Sequence, residues 1–187
     1  PSHRTLAGTT RRDVLKLGGA VAAASVLAGT DVPWVHAAED NTIRLALIGC
    51  GGRGGGAVRD AFSVATGPVK LHAMADLTAD RVNRSHKALH GRFSDRVDVP
   101  SDRRFVGFDA YRRAIDSLRP GDVAMLTAYA YCRPVQLEYA VKKGVNVFME
   151  KDFAPDPAGC SRLLAAGEEA TKKNLKIAAG LQCRHSV

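Results

Sequence analysis

The stretch Ile43-Arg44-Leu45-Ala46-Leu47-Ile48-Gly49-Cys50-Gly51-Gly52-Arg53-Gly54 decides the fold. Its first six residues have the apolar, branched composition of a buried strand. They run straight into glycines spaced G-x-G-x-x-G, at the point where a helix is expected to open. In that arrangement Gly49 permits the tight turn, Gly51 lets phosphates approach the backbone, and Gly54 lets the helix pack close to the sheet. Free N–H groups at the helix start, reinforced by its dipole, then hold a pyrophosphate without needing a side chain. Gly52 and Arg53 belong to the same turn and are counted with it as cofactor contacts.

In a chain with 18 glycines such spacing also arises in a flexible loop. The position of Asp76 argues against that reading. It ends the second expected strand, where an acidic side chain accepts hydrogen bonds from ribose hydroxyls and repels a 2′-phosphate. The cofactor expected is therefore NAD, while Arg81 nearby leaves NADP open.

Beyond Ile43, short apolar runs alternate with helical patterns, the signature of βαβ units. Strands are expected at 43–48, 69–75, 105–106, 123–126, 145–149 and 176–179, with helices at about 54–64, 79–89, 110–117, 134–143 and 157–173. Thr78, Asp109 and Asp156 stand where N-caps belong, Asp156 being followed by a proline at the first helical position. Gly144, after Lys142 and Lys143, is a helix stop. Leu163, Leu164, Gly167 and Ala170 give the last helix an apolar stripe, and residues 91–104 read as a loop. The fold class expected is α/β: a doubly wound, mostly parallel Rossmann sheet with helices on both faces.

The net charge of +8 over 187 residues is spread without a Lys/Arg block or a basic-aromatic run, which argues against a nucleic-acid partner. Cys50, Cys132, Cys160 and Cys183 lie far apart, with neither a C-x-x-C pair nor zinc-ligand spacing, so buried free thiols are expected and no metal. His72, His86 and His90 read as ordinary strand or helix residues.

The N-terminus carries a different signal. Thr9-Thr10-Arg11-Arg12-Asp13-Val14-Leu15-Lys16 precedes a mild apolar run from Leu17 to Gly29, too short to span a bilayer. Paired arginines ahead of such a run resemble a twin-arginine export signal, an address and not an anchor. Residues 1–37, Trp34 among them, are expected to be removed after a small-residue site near Ala37. The mature protein is expected outside the cytoplasm, in the periplasm or an equivalent compartment, without a membrane anchor.

The second half completes a family resemblance. Asp122-Val123-Ala124-Met125-Leu126-Thr127, then Arg133-Pro134 opening a helix, then Gly144-Val145-Asn146-Val147-Phe148-Met149-Glu150-Lys151, is similar to the Gfo/Idh/MocA oxidoreductases. The resemblance implies that Lys151 faces a substrate hydroxyl beside the nicotinamide, where burial next to a cationic ring lowers its pKa and assists proton transfer. It implies that Glu150 orients the site, and that Thr127 and Arg133 contact the cofactor. The chain departs from the family at Asp152, where relatives carry proline, and at Arg133, where many carry histidine. The tail Gly180-Leu181-Gln182-Cys183-Arg184-His185 resembles the crossover to a second domain, with Gln182, Arg184 and His185 at the cleft.

On this resemblance the intact protein transfers hydride between a small-molecule sugar or cyclitol hydroxyl and NAD. Residues 38–181 would be the nucleotide-binding domain and 182–187 the start of the crossover. The open-faced β-sheet domain of relatives is not in the sequence, and position 1 is proline, so an inactive cofactor-binding fragment is expected, with homo-oligomers only when the second domain is present. Two alternatives stay open: an NAD-dependent glycoside hydrolase of the same family, and a non-catalytic nucleotide-binding module.

Overall fold

A computed structural model describes residues 41–65 and 67–181. The signal peptide expected at 1–37 and the tail residues Gln182, Arg184 and His185 lie outside the described residues. Six parallel strands form one sheet: β1 (Ile43–Ile48), β2 (Val69–Asp76), β3 (Arg104–Val106), β4 (Val123–Leu126), β5 (Asn146–Glu150) and β6 (Ile177–Gly180), in the order β3-β2-β1-β4-β5-β6. The order reverses between β1 and β4, and open α/β sheets bind ligands at that switch point.

Alternation along the strands explains why both faces are covered. Leu45, Leu47, Leu71 and, past a register shift in β2 at His72, Met74 point to one side, where α1 (Gly52–Phe62) and α2 (Ala79–His90) supply Val58, Phe62, Val82 and Leu89. Ala46, Ile48, Ala73, Ala75 and Ala124 point to the other, where α3 (Ala110–Asp116), α4 (Arg133–Lys142) and α5 (Pro157–Lys172) pack. The second face is built mostly of alanines, so three helices settle close to the sheet and seal it with Ile115, Leu137, Val141 and Leu163. Strands buried on both faces read as continuous apolar runs, as they do in this sequence.

The expected element order is the observed one, and the differences are local. α1 starts at Gly52, two residues before the expected start, because Gly51 is extended and the Gly55 N–H already bonds the Gly51 carbonyl at 3.0 Å. Thr78 and Asp109 occupy N-cap positions without a side-chain cap hydrogen bond, whereas Asp156 accepts from the Gly159 N–H at 2.7 Å. Gly144 ends α4 with φ +74°, a conformation that favours glycine.

The stripe of α5 runs through Leu163, Ala166 and Ala170, and Leu164 is 72% exposed, a correction to the expected set. Residues 163, 166 and 170 share one side of a 3.6-residue helix, and 164 is turned about 100° away. Residues 91–104 are more than a loop. Leu71 pairs with Val97 as a parallel bridge, Val97 and Val99 are buried, and Ser101–Arg103 forms a 3₁₀ turn.

Candidate functional site

A cleft of about 640 Å³ opens at the C-terminal ends of β1, β2, β4 and β5. Its floor is the glycine turn. Gly49, at φ +101°, leaves no room for a side chain: a Cβ there would stand 2.5 Å from the Ala128 backbone nitrogen. A Cβ on Gly54 would meet the Gly49 carbonyl oxygen at 2.1 Å. Those two glycines are demanded by the protein's own packing. Gly51 and Gly52 differ, since a Cβ on either meets no atom within 4 Å. They face open cleft, at a helix N-terminus whose N-cap offers no side-chain hydrogen bond and whose first turn holds no acidic residue. Unsatisfied N–H groups and the positive end of the dipole thus converge on space that an anion can fill.

Asp76 lies beside that turn. Its Oδ2 accepts the Cys50 N–H and its Oδ1 the Leu77 N–H, both at 2.7 Å. The two bonds fix the carboxylate, and each oxygen retains acceptor capacity for a ligand hydroxyl. Arg81 faces both Asp76 and the Tyr129 hydroxyl across the cleft mouth. The Cys50 thiol beneath Asp76 is pushed up to about 12, first by burial and then by that carboxylate. Thr127, at the end of β4, donates its hydroxyl to the Gly49 carbonyl at 2.6 Å, which locks the glycine turn to the opposite wall.

The other half of the cleft is organised around Glu150, the last residue of β5 and only 5% exposed. Arg53 reaches it from the glycine turn, its Nε donating to Glu150 Oε1 at 2.8 Å while its Nη2 donates to Asp60 Oδ2 at 2.9 Å. Gly180, paired with Glu150 across β5 and β6, makes room for the carboxylate, since a Cβ there would come within 2.6 Å of Oε1. Sequence reasoning names Glu150 and Arg53 but not their union. A separation of 97 residues leaves no local trace of it. Lys151 and Asp152 follow on the cleft wall, joined by a cis peptide bond, and Lys151 is exposed instead of buried as expected.

Arg133 sits apart from the other expected cofactor contacts. It is 1% exposed, at the first position of α4, and does not line the cleft. Its Nη2 donates to the Ala128 carbonyl at 2.7 Å, and its Nε and Nη1 have no hydrogen-bond partner. Burial pulls its pKa down against the opposing pull of Glu150 and Asp152. The bond to Ala128 braces the turn after β4, so Arg133 shapes the wall from behind. Among the described residues no group of three or more His, Cys, Asp or Glu side chains is arranged to hold a metal, and no helix is long and apolar enough to cross a membrane.

No family model and no curated protein matches the chain. Solved structures do. The myo-inositol 2-dehydrogenase of Lactobacillus plantarum superposes with a TM-score of 0.60 at 23% identity, over 78% of this chain and 38% of that one. The scyllo-inositol dehydrogenase of Lactobacillus casei, solved with bound NAD(H) and scyllo-inositol, gives 0.59 at 19% identity over 78% and 38%. The WlbA dehydrogenase of Bordetella pertussis, solved in complex with NADH and UDP-GlcNAcA, gives 0.58 at 17% identity over 78% and 36%. The chain thus spans well under half the length of these proteins. They are NAD-binding dehydrogenases of the Gfo/Idh/MocA type, which the sequence motifs resemble, and this chain has the Rossmann-like fold that it shares with them.

Proposed function

We propose that this chain is the nucleotide-binding part of an NAD-dependent oxidoreductase acting on a sugar or cyclitol hydroxyl. The observation that carries the reading is the pairing of an open glycine helix terminus, Gly51 and Gly52, with the fixed carboxylate of Asp76 at the sheet's switch point. These residues fit the cofactor. The N–H groups at the start of α1 would hold the pyrophosphate and Asp76 the adenosine ribose. NAD, when bound, supplies the hydride acceptor. The chain's own contribution is positional. Arg53 and Gly180 hold Glu150 in place, and Glu150 ends the strand that presents Lys151 on the cleft wall. Lys151 Nζ, exposed there, would donate a hydrogen bond to the substrate oxygen and hold it in position beside the nicotinamide. The neighbouring structures, two inositol dehydrogenases and one dehydrogenase in complex with UDP-GlcNAcA, support polyol chemistry for the intact protein.

The paired residues Arg11 and Arg12 support export by the twin-arginine route, which carries folded proteins and so suits one that folds around its nucleotide first.

The test is calorimetric titration of the full chain with NAD and with NADP, beside the Asp76→Ala variant. Micromolar NAD binding, weaker NADP binding, and a loss or reversal of that preference in Asp76→Ala are expected. A chain that binds neither nucleotide, or an Asp76→Ala variant with unchanged preference, removes the basis of the reading.

A further inference from the structure

Two features of the cleft serve neither the phosphates nor the ribose. The first is a set of flat, wet aromatic surfaces at its mouth. Phe108 is 88% exposed, and Tyr129 and Tyr131 stack on each other at 5.7 Å with 10° between their planes, both largely exposed. Exposed apolar rings lining a cleft are a platform for another planar ring. The second is an amide with nothing to bond. Gln136, in the first turn of α4, lines the cleft and is 6% exposed, and its Oε1 has no hydrogen-bond partner. Its side chain makes no hydrogen bond among the described residues.

A buried, unpaired amide oxygen is costly, and such atoms are rare in native proteins unless a ligand or water completes them. Gln136 lines the same cleft as Asp76, Phe108 and Tyr111. One turn further along α4, Tyr139 meets Tyr111 of α3 edge-on at 5.7 Å, so Gln136 stands one turn nearer the strand ends, beside the turn from β3 into α3 that carries Phe108. The terminal torsion of a glutamine is soft, and its rotation presents the oxygen to the cleft.

We infer that Gln136 reads the base of the bound dinucleotide, its Oε1 accepting a hydrogen bond from the exocyclic 6-amino group of adenine while the exposed aromatic rings flank the base plane. The inference rests on the dinucleotide reading above. A 6-amino group offers the donor that the oxygen lacks, and a 6-oxo purine sets a second acceptor against it. A site built around such a bond rejects the analogue without the donor far more strongly than an apolar pocket would.

The experiment titrates the full chain with NAD and with nicotinamide hypoxanthine dinucleotide, whose purine carries a 6-oxo group and an N1 proton where adenine carries a 6-amino group and a bare N1. The wild-type chain is expected to prefer NAD by about tenfold or more. Gln136→Met should bind both alike, by losing affinity for NAD and not by gaining it for the analogue, and Gln136→Glu, which keeps an acceptor at the same reach, should retain the preference. Equal affinities in the wild-type chain, or an undiminished preference in Gln136→Met, overturn the role of Gln136 while NAD binding itself leaves the dinucleotide reading intact. Failure to bind either dinucleotide overturns both.

Discussion

Alanine at Gly54 and alanine at Gly51 separate what the glycine turn does for the protein from what it does for a ligand. At Gly54 the added methyl would lie 2.1 Å from the Gly49 carbonyl oxygen and 2.7 Å from Thr127 Oγ1. Neither atom can retreat freely. The Gly49 oxygen accepts the Thr127 hydroxyl at 2.6 Å, and the Gly49 nitrogen donates to Ala75 at 2.8 Å. Overpacking of this kind costs about 1–3 kcal/mol, and loss of the Thr127 bond adds about 1 kcal/mol. For a domain of this size the sum lowers Tm by roughly 10 °C.

At Gly51 the backbone has an ordinary φ of −78° and the methyl meets nothing. Reduced freedom of the unfolded chain favours alanine by about 0.4–1 kcal/mol, and its weakness as an N-cap takes back about 0.5 kcal/mol. Gly51→Ala should therefore melt within about 3 °C of wild type. The methyl nevertheless occupies the space proposed for the phosphates, and NAD affinity should fall at least about tenfold, the loss of one charge-assisted hydrogen bond. Thermal unfolding by circular dichroism without ligand and calorimetric titration with NAD read the two effects separately. A Gly54→Ala variant as stable as wild type refutes the packing argument, and a Gly51→Ala variant with wild-type affinity refutes the placement of the phosphates.

Acid should weaken the fold in a narrow window. Burial, then Arg103 and Arg44, hold His72 below the usual 6.5, and burial, then Arg104, do the same for His86. The unfolded chain takes up these protons first, so stability is full above about pH 6.5 and declines as pH falls below it. Urea unfolding at about pH 7.5 and about pH 5.5 should show the drop, and His72→Gln with His86→Gln should flatten it; an undiminished drop in that double variant would point to other groups. The carboxyl of Glu138, held low by Arg162, loses its proton below this window and does not interfere. Thiol reactivity supplies a further check. Cys160 is exposed, whereas Cys50 is buried and pushed up to about 12, so alkylation followed by peptide mass mapping should label Cys160 in the native chain and Cys50 only after unfolding. Rapid native labelling of Cys50 would contradict its placement under the turn.

The strands, the glycine turn and Asp76 were legible because each rests on a local cause: an apolar run, a conformational demand, or a residue at a fixed distance from a strand end. The site's long-range couplings were not legible. Arg53 and Glu150 meet because β5 lies two strands from β1, and only the sheet order brings them together. Arg133 reads equally well as an exposed first-turn arginine, and only the packing of the turn after β4 shows that it is buried. Gln136 carries no sequence signal at all, since an isolated glutamine in a helix is ordinary. Val97 and Val99 were hidden in a polar stretch whose Arg, Asp and Ser content outweighed two buried valines.

The strand order also governs when the cleft can come into being. β1 and β2 join through a single short helix, so the wall bearing the glycine turn and Asp76 closes over a small loop of chain. β4 must span the intervening βαβ units before it reaches the other side of β1, where Leu45 pairs with Val123. Joining distant segments costs more loop entropy and slows folding. As the chain emerges from synthesis, the half proposed for the ribose can be organised while the half bearing Glu150 and Lys151 has yet to be made. A nascent chain ending before β5 would carry the phosphate turn with Arg53 able to reach Asp60 but still lacking Glu150.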